Sequence, residues 1–174
     1  MSGGAAHVPL GADAESKRAW AVLAAVPDPE IPVLSLVDLG VIRELATDPD
    51  GGLTVRLSPT YTGCPATAMI RADVIAALET EGFGPVRVVD VLSPPWSSDW
   101  ISEAGRRKLE AYGIAPPATP ISSIRAFATG ADQARCPRCQ STETELLSEF
   151  GSTPCKALHR CLACREPFDR FKCI

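Results

Sequence analysis

The sequence predicts an α+β protein in which a small domain of helices around a three-stranded sheet precedes a cysteine-rich β-ribbon. Over residues 15–115, apolar side chains recur at helical spacing in some segments and at strand spacing in others. Only one of the seven cysteines precedes residue 136. Residues 1–120 carry nine basic and fifteen acidic side chains (−6), whereas residues 121–174 carry eight and six (+2). Hydrophobic pattern, cysteine usage and charge therefore divide the chain into two domains.

The predicted domain boundaries follow these changes in composition. Residues 1–14 are expected to form a flexible N-terminal tail, and residues 15–115 to form the α+β domain, which is long enough to bury a core unaided. Residues 116–134 are rich in Pro, Gly, Ser and Ala, as is typical of a linker. Residues 135–174 are expected to form the ribbon domain.

The first helix is predicted over residues 15–26, where Trp20, Leu23 and Val26 recur at helical spacing. Prolines at 27, 29 and 32 end it in a turn, because proline lacks the amide proton and restrains the residue before it. Residues 41–45 and 53–57 are apolar and partly β-branched. The turn residues between them predict an antiparallel hairpin.

The longest helix is predicted over residues 65–81. Its apolar residues Ile70, Val74 and Leu78 share one face, Pro65 suits the first turn, and Gly82 provides the stop. A third strand follows over residues 86–92. Ser97 or Ser98 is then expected to cap a last helix that runs to about Tyr112 and stops at Gly113.

Several classes of function are excluded by composition. The net charge of −4 gives no electrostatic drive toward nucleic acid or anionic lipid, and the longest apolar run has eight residues, so neither nucleic acid nor membrane is an expected partner. The start of the chain lacks the features of a secretory signal, which predicts a reducing, cytoplasmic location. No P-loop, dinucleotide fingerprint or nucleophile elbow is present, and the chain has two histidines. A Ser-His-Asp hydrolase or a histidine-dependent acid–base enzyme is therefore not expected. An enzyme that uses Cys64 as its nucleophile is a further alternative that lacks an evident base, and the expectation is a protein that is not an enzyme.

The α+β domain contains a single cysteine, in the loop before the long helix. Cys64 is predicted at the N-cap, where unpaired amide groups and the positive helix end favour a thiolate. A thiolate binds metal or attacks electrophiles, and Thr60 and Thr62 offer hydroxyls to a sulfur ligand. Asp28 and Glu30 could supply carboxylates to the same face, or act only as turn residues. Whether Cys64 handles a cluster or only packs stays open at this stage.

Two CxxC motifs give the strongest signal in the chain. Cys136 and Cys139 form one, Cys161 and Cys164 form the other, and twenty-one residues separate the two motifs. This spacing is used for tetrahedral coordination of zinc by four thiolates. A segment of about 40 residues has too small a core to fold alone, so bound metal supplies the missing folding free energy. The prediction is a structural zinc ribbon with strands over residues 142–150 and 155–160.

The other residues of the tail leave alternatives open. Four thiolates also suit an iron–sulfur cluster, and Cys155 and Cys173 could add thiol ligands or could pack in the interior. His159 is expected to be a strand residue rather than a ligand. The aromatic rings of Phe150, Phe168 and Phe171 suit a core better than base stacking.

Three segments of the first domain resemble the metal–sulfur cluster assembly family that includes SufT and the eukaryotic cytosolic iron–sulfur targeting factors. They are residues 27–41, beginning Pro-Asp-Pro-Glu-Ile-Pro, residues 59–65, Pro-Thr-Tyr-Thr-Gly-Cys-Pro, and residues 94–101, Pro-Pro-Trp-Ser-Ser-Asp-Trp-Ile. The first CxxC motif and the tail segments 149–158 and 166–174 narrow the resemblance to the phenylacetate-degradation branch of this family. The resemblance covers almost the whole chain.

The resemblance implies a cytoplasmic accessory protein of the multicomponent monooxygenase that epoxidises phenylacetyl-CoA. It implies partners among the components of that system, especially its iron–sulfur flavin reductase, whose cluster the protein would mature or deliver. A transient iron–sulfur cluster then joins structural zinc as an expected cofactor. The alternative is a non-catalytic structural or regulatory subunit of the oxygenase. The identity of the client and self-association into a homo-oligomer stay open.

Overall fold

The structure is a computed structural model that describes residues 8–9, 14–61, 63, 65–117 and 134–172. The chain divides into two compact units, Met1–Trp96 and Ser97–Ile174. This division falls earlier than the predicted boundary at residue 115. The helix and short strand between the two positions belong with the ribbon, because the strand pairs with a ribbon strand.

The first unit contains the predicted three-stranded sheet. Strands β2 (Ile42–Thr47) and β3 (Leu53–Leu57) form the antiparallel hairpin, and β4 (Val86–Asp90) lies parallel to β3. At the edge of the sheet, β1 (Val8–Pro9) pairs with β2, so this part of the expected flexible tail adds a two-residue strand. The order is β1-β2-β3-β4.

Two helices complete the first unit. Helix α1 spans Ala14–Leu23, and the residues up to Val26 tighten into a turn with hydrogen bonds between residues three apart, so the helix ends before the predicted position. Helix α2 spans Thr67–Thr80 and connects β3 to β4. It buries the predicted face of Ile70, Val74 and Leu78.

The second unit begins with a short 3-10 turn, Ser98–Trp100, followed by helix α3 (Glu103–Tyr112). Ser97 caps only the 3-10 turn, and Ser102 caps α3 by accepting a hydrogen bond from the Gly105 N–H. The predicted cap at Ser97 or Ser98 is therefore wrong for the helix. The chain extends at Ile101 and Ser102, which separates the two elements.

The ribbon is a second four-stranded sheet, in the order β5-β8-β7-β6. Its strands are β5 (Ile114–Ala115), β6 (Thr144–Ser148), β7 (Lys156–Cys161) and β8 (Pro167–Phe171). Strand β7 is antiparallel to both neighbours, and β5 is parallel to β8. In the part of the chain that the structure describes, no helix has the length and apolar character needed to cross a membrane.

Candidate metal centre and cysteine loop

The two CxxC motifs fold into matching turns. In the first, the Cys136 N–H donates to the Ser141 carbonyl oxygen at 2.9 Å, and in the second the Cys161 N–H donates to the Glu166 carbonyl at the same distance. The residue after each second cysteine, Gln140 or Arg165, has a positive φ of 63° or 66°. Each turn thus reverses the chain at a residue with left-handed backbone, and the two cysteine sulfurs of the turn face the same side.

These turns bring four sulfurs together. The Sγ atoms of the four predicted ligands lie within 4.8 Å of one another. Cys136 Sγ is 3.8 Å from Cys164 Sγ, and Cys139 Sγ is 3.5 Å from Cys161 Sγ. Each short distance joins one motif to the other. The chain therefore has the four-cysteine metal site that the motifs predict.

The spacing of the sulfurs fits a single tetrahedral ion. Four ligands at a Zn–S distance of about 2.3 Å lie about 3.8 Å apart in a regular tetrahedron. A polynuclear iron–sulfur cluster distributes the cysteine sulfurs over different irons, which requires wider separations. Zinc, when bound, would be held by all four cysteines and would have no open position for substrate.

The first cysteine of each motif is anchored in the ribbon core. Cys136 and Cys161 are buried in one cluster with Ala115, Ala134 and Phe168. Their partners Cys139 and Cys164 are exposed. One side of the site is therefore fixed by packing, and the other side is accessible to an arriving ion.

The thiols of the two motifs differ in acidity. The Cys164 N–H approaches Cys161 Sγ at 3.5 Å and lowers the pKa of the Cys161 thiol to about 7. The Ser141 N–H lowers the pKa of Cys139, but the neighbouring cysteine sulfurs, Cys161 foremost, outweigh it and raise that pKa to about 12. A divalent ion must therefore displace thiol protons when it binds.

Three basic side chains of the ribbon are paired with carboxylates. The pairs are Arg138 with Glu166, Arg160 with Glu145, and Lys156 with Asp169. The first pair links the two CxxC turns, since Arg138 lies inside the first and Glu166 follows the second. These contacts favour a structural role for the basic residues over a role as a surface for an anionic polymer.

Among the described tail candidates, Cys155 and His159 are not part of the four-sulfur group. Cys155 is buried, with its sulfur 3.0 Å from the Thr153 hydroxyl, and Cys173 lies outside the described residues. His159 lies on β7, buried and stacked on Phe168 at 5.7 Å between ring centroids.

Two of the three tail phenylalanines occupy the expected core positions. Phe168 and Phe171 are buried. The expectation for Phe150 is wrong, because this ring is 67% exposed, with the Lys172 ammonium 4.2 Å from its centroid. Phe150 follows β6, which is the edge strand of this sheet among the residues that the structure describes.

The cysteine loop of the first unit lies between β3 and α2, but Cys64 and Thr62 are outside the described residues. The N-cap of α2 is Ala66, two residues beyond Cys64, so the predicted N-cap position of this cysteine is wrong. Ala66 provides no side-chain cap, and the first turn contains no acidic residue. The positive end of α2 is thus left without a neutralising side chain in its own first turn.

The acidic candidates of the first unit act in the chain turn after α1. The Asp28 carboxylate is buried and accepts hydrogen bonds from the N–H groups of Glu30 and Ile31, at 2.9 and 2.7 Å. This local use matches a turn-forming aspartate. Glu30 and Thr60 are half-buried.

Comparison with known proteins agrees with this division into two kinds of site. Residues 16–91 match the family described as iron–sulfur cluster assembly protein, and residues 122–172 match the PaaD zinc beta ribbon domain. The chain is 50% identical over 155 residues to an Escherichia coli K12 protein described as a putative subunit of 1,2-phenylacetyl-CoA epoxidase. That alignment covers 89% of this chain and 91% of the relative. The chain belongs to the PaaD family.

The assembly-type unit of this PaaD family member has relatives of its own. Over 89 residues it is 36% identical to the Porphyromonas gingivalis "Fe-S protein maturation auxiliary factor", and the match covers 51% of this chain and 84% of the relative. A Bacillus anthracis domain of unknown function, DUF59, is 29% identical with a TM-score of 0.50, and the match covers 56% of this chain and 97% of that domain. The α+β fold predicted for the first domain is thus confirmed.

The structure adds residues that the sequence did not single out in this PaaD family member. Gln140 and Arg165 adopt left-handed backbone in the CxxC turns. Each directly follows the second cysteine of its motif, and this shared position is the sequence feature that could have identified them. Glu166 was not selected because its pairing with Arg138 depends on how the two turns meet. Sequence spacing alone does not encode that contact.

Proposed function

We propose that this protein is a non-catalytic accessory factor of the phenylacetyl-CoA epoxidase system that matures or delivers the iron–sulfur cluster of its reductase. The observation that carries the proposal is the union of two units in one PaaD family chain. An assembly-type domain with a cysteine loop precedes a ribbon whose four sulfurs suit a single closed metal site.

In this proposal the metal of the ribbon is zinc, and its role is structural. Sulfur–sulfur distances of 3.5 and 3.8 Å between the motifs support one tetrahedral ion rather than a cluster. Four protein thiolates leave the ion no position at which to bind or activate a substrate. The ribbon then serves as a rigid module for contact with partner proteins.

Cys64 is the proposed ligand for transient iron–sulfur material. Its loop leads into the α2 end that has no side-chain cap, and the helix dipole there stabilises a negatively charged sulfur. Thr60 and Thr62 lie in the same loop as Cys64, and their hydroxyls would donate to a bound sulfide or thiolate. We assign Asp28 and Glu30 to the turn after α1 rather than to the cluster site, because the Asp28 carboxylate already accepts backbone hydrogen bonds there.

The cell compartment and partners follow from the same chemistry. Thiols that must stay reduced to bind metal suit the cytoplasm. The client in this proposal is the iron–sulfur flavin reductase, which is the component of the system that carries an iron–sulfur cluster. The protein contacts this client transiently. Self-association is not required by either unit.

A second candidate function is a permanent structural or regulatory subunit of the oxygenase. The name of the Escherichia coli relative, which includes the word subunit, favours this alternative. The two functions differ in the lifetime and stoichiometry of the complex, because a maturation factor leaves its client once the cluster is in place.

Copurification separates the two functions. We expect the tagged protein, isolated from cells growing on phenylacetate, to recover substoichiometric reductase that is lost on extended washing. More reductase should be recovered when iron is withheld, since unfinished client accumulates. Recovery of all oxygenase components in fixed ratio through gel filtration would support the permanent subunit instead. A tagged Cys155→Ser variant serves as the matched control, because Cys155 lies outside the four-sulfur site.

A further inference from the structure

A groove with a volume of about 610 Å³ lies between the end of α1 and helix α2 in the first unit. Val22 and Val26 line it from the α1 side, and Ala76 and Ala77 from α2. None of these side chains is larger than valine, so another backbone can approach α2 closely. Six of the nine lining residues are apolar, and Val22, Ala76 and Ala77 keep part of their surface in contact with solvent, which makes coverage by an apolar surface favourable.

Two carboxylates mark the ends of this groove. Asp73 lies on α2 and Glu81 is the C-cap residue of this helix, eight positions later and about 12 Å further along the helix axis. Within the described part of the chain, neither has a cationic partner, and the one basic residue of α2, Arg71, is paired with Asp90. The groove therefore combines an apolar floor with two exposed negative charges.

We propose that the groove binds an amphipathic helix of a partner protein, with two basic side chains about two turns apart and apolar side chains between them. The basic residues pair with Asp73 and Glu81, and the apolar residues cover the valine and alanine floor. The small alanines favour a helix, because they allow packing at the short end of the usual interaxial distance. The proposal does not depend on the maturation role of the protein.

Charge complementarity selects this occupant over others. An anionic small molecule or an acidic peptide would meet two carboxylates and no free cation in the groove lining. The equivalent groove of a second copy carries the same charges, so face-to-face self-pairing would oppose like charges. A cationic amphipathic helix satisfies both the apolar floor and the charged ends.

The test uses the full-length, zinc-loaded protein and a short alanine-rich peptide labelled with fluorescein. The peptide carries two lysines eight positions apart, with leucines between them on the same helical face. Fluorescence anisotropy gives its dissociation constant, and amide shifts in NMR spectra of the labelled protein locate the contact. We expect saturable binding that weakens with salt, and shifts confined to the residues around the groove.

The matched variants are Glu81→Lys and Glu79→Lys, which reverse the same charge two residues apart on the exposed end of α2. Only Glu81 lines the groove. We expect Glu81→Lys to weaken peptide binding by about tenfold and Glu79→Lys by less than about twofold. Equal effects of the two variants, shifts centred elsewhere, or no saturable binding to the parent protein would each overturn the proposal.

Discussion

Replacing Cys161 by serine is expected to release the bound metal and unfold the ribbon while the first unit stays folded. Cys161 is fully buried, approaches Cys139 across the site and has the lowered thiol pKa. Structural zinc contributes on the order of 10 kcal/mol to folding, which is as large as the whole free energy of unfolding of a typical small domain. Loss of one of four ligands should therefore remove most of the stability of the ribbon.

Metal analysis and NMR check this prediction on protein purified without oxygen. The parent should contain one zinc per chain, and Cys161→Ser close to none. Ribbon amide signals should collapse toward random-coil positions, whereas signals from residues 16–91 should persist. Cys155→Ser is the control and should keep its zinc, since Cys155 contacts Thr153 rather than the cluster of sulfurs. Retention of the metal by Cys161→Ser, or a content of iron and sulfide in place of zinc, would contradict the assignment.

Replacing Cys64 by serine is expected to abolish growth on phenylacetate with little change in melting temperature. Helix α2 starts after Ala66 without a side-chain cap, so its stability does not depend on a cap at residue 64. A serine hydroxyl cannot replace a thiolate as a soft ligand for iron. The functional loss should therefore occur in a folded protein.

Complementation of a strain that lacks the gene measures this effect, with thermal unfolding of each purified variant beside it. Cys155→Ser provides the matched substitution and should support growth. Growth with Cys64→Ser at the parental rate would assign this cysteine to packing. A large fall in melting temperature would likewise remove the argument for a purely chemical role.

The sequence was sufficient to predict the elements whose signals are local. The hairpin, α2 with its buried face, and the four-cysteine site all follow from periodicity, turn residues or motif spacing. Strand β8 was not predicted, because it begins with proline and contains Asp169 and Arg170. Its pairing with β7 and β5 in the middle of the sheet stabilises it, and the β5 partner is distant in sequence.

Other differences arise because the sequence offers two candidate residues for the same structural role. Ser97 and Ser102 both cap, and the sequence does not show that a 3-10 turn separates them. Ala76 and Ala77 have the composition of an ordinary helix surface, and their place in a groove depends on the packing of α1 against α2. The observed division between the two units also lies before the predicted boundary, because β5 pairs with β8.

The central claim, maturation of the reductase, is tested most directly by the composition of the reductase itself. Reductase should be purified without oxygen from phenylacetate-induced cells with and without this gene. Flavin, iron and acid-labile sulfide are then measured per chain, together with iron in the oxygenase. We predict reductase with normal flavin but depleted iron and sulfide in the deletion strain, and oxygenase with its iron retained. Reductase with a full cluster, whose epoxidase activity returns only when this protein is added to the assay, would contradict the claim and identify a permanent subunit.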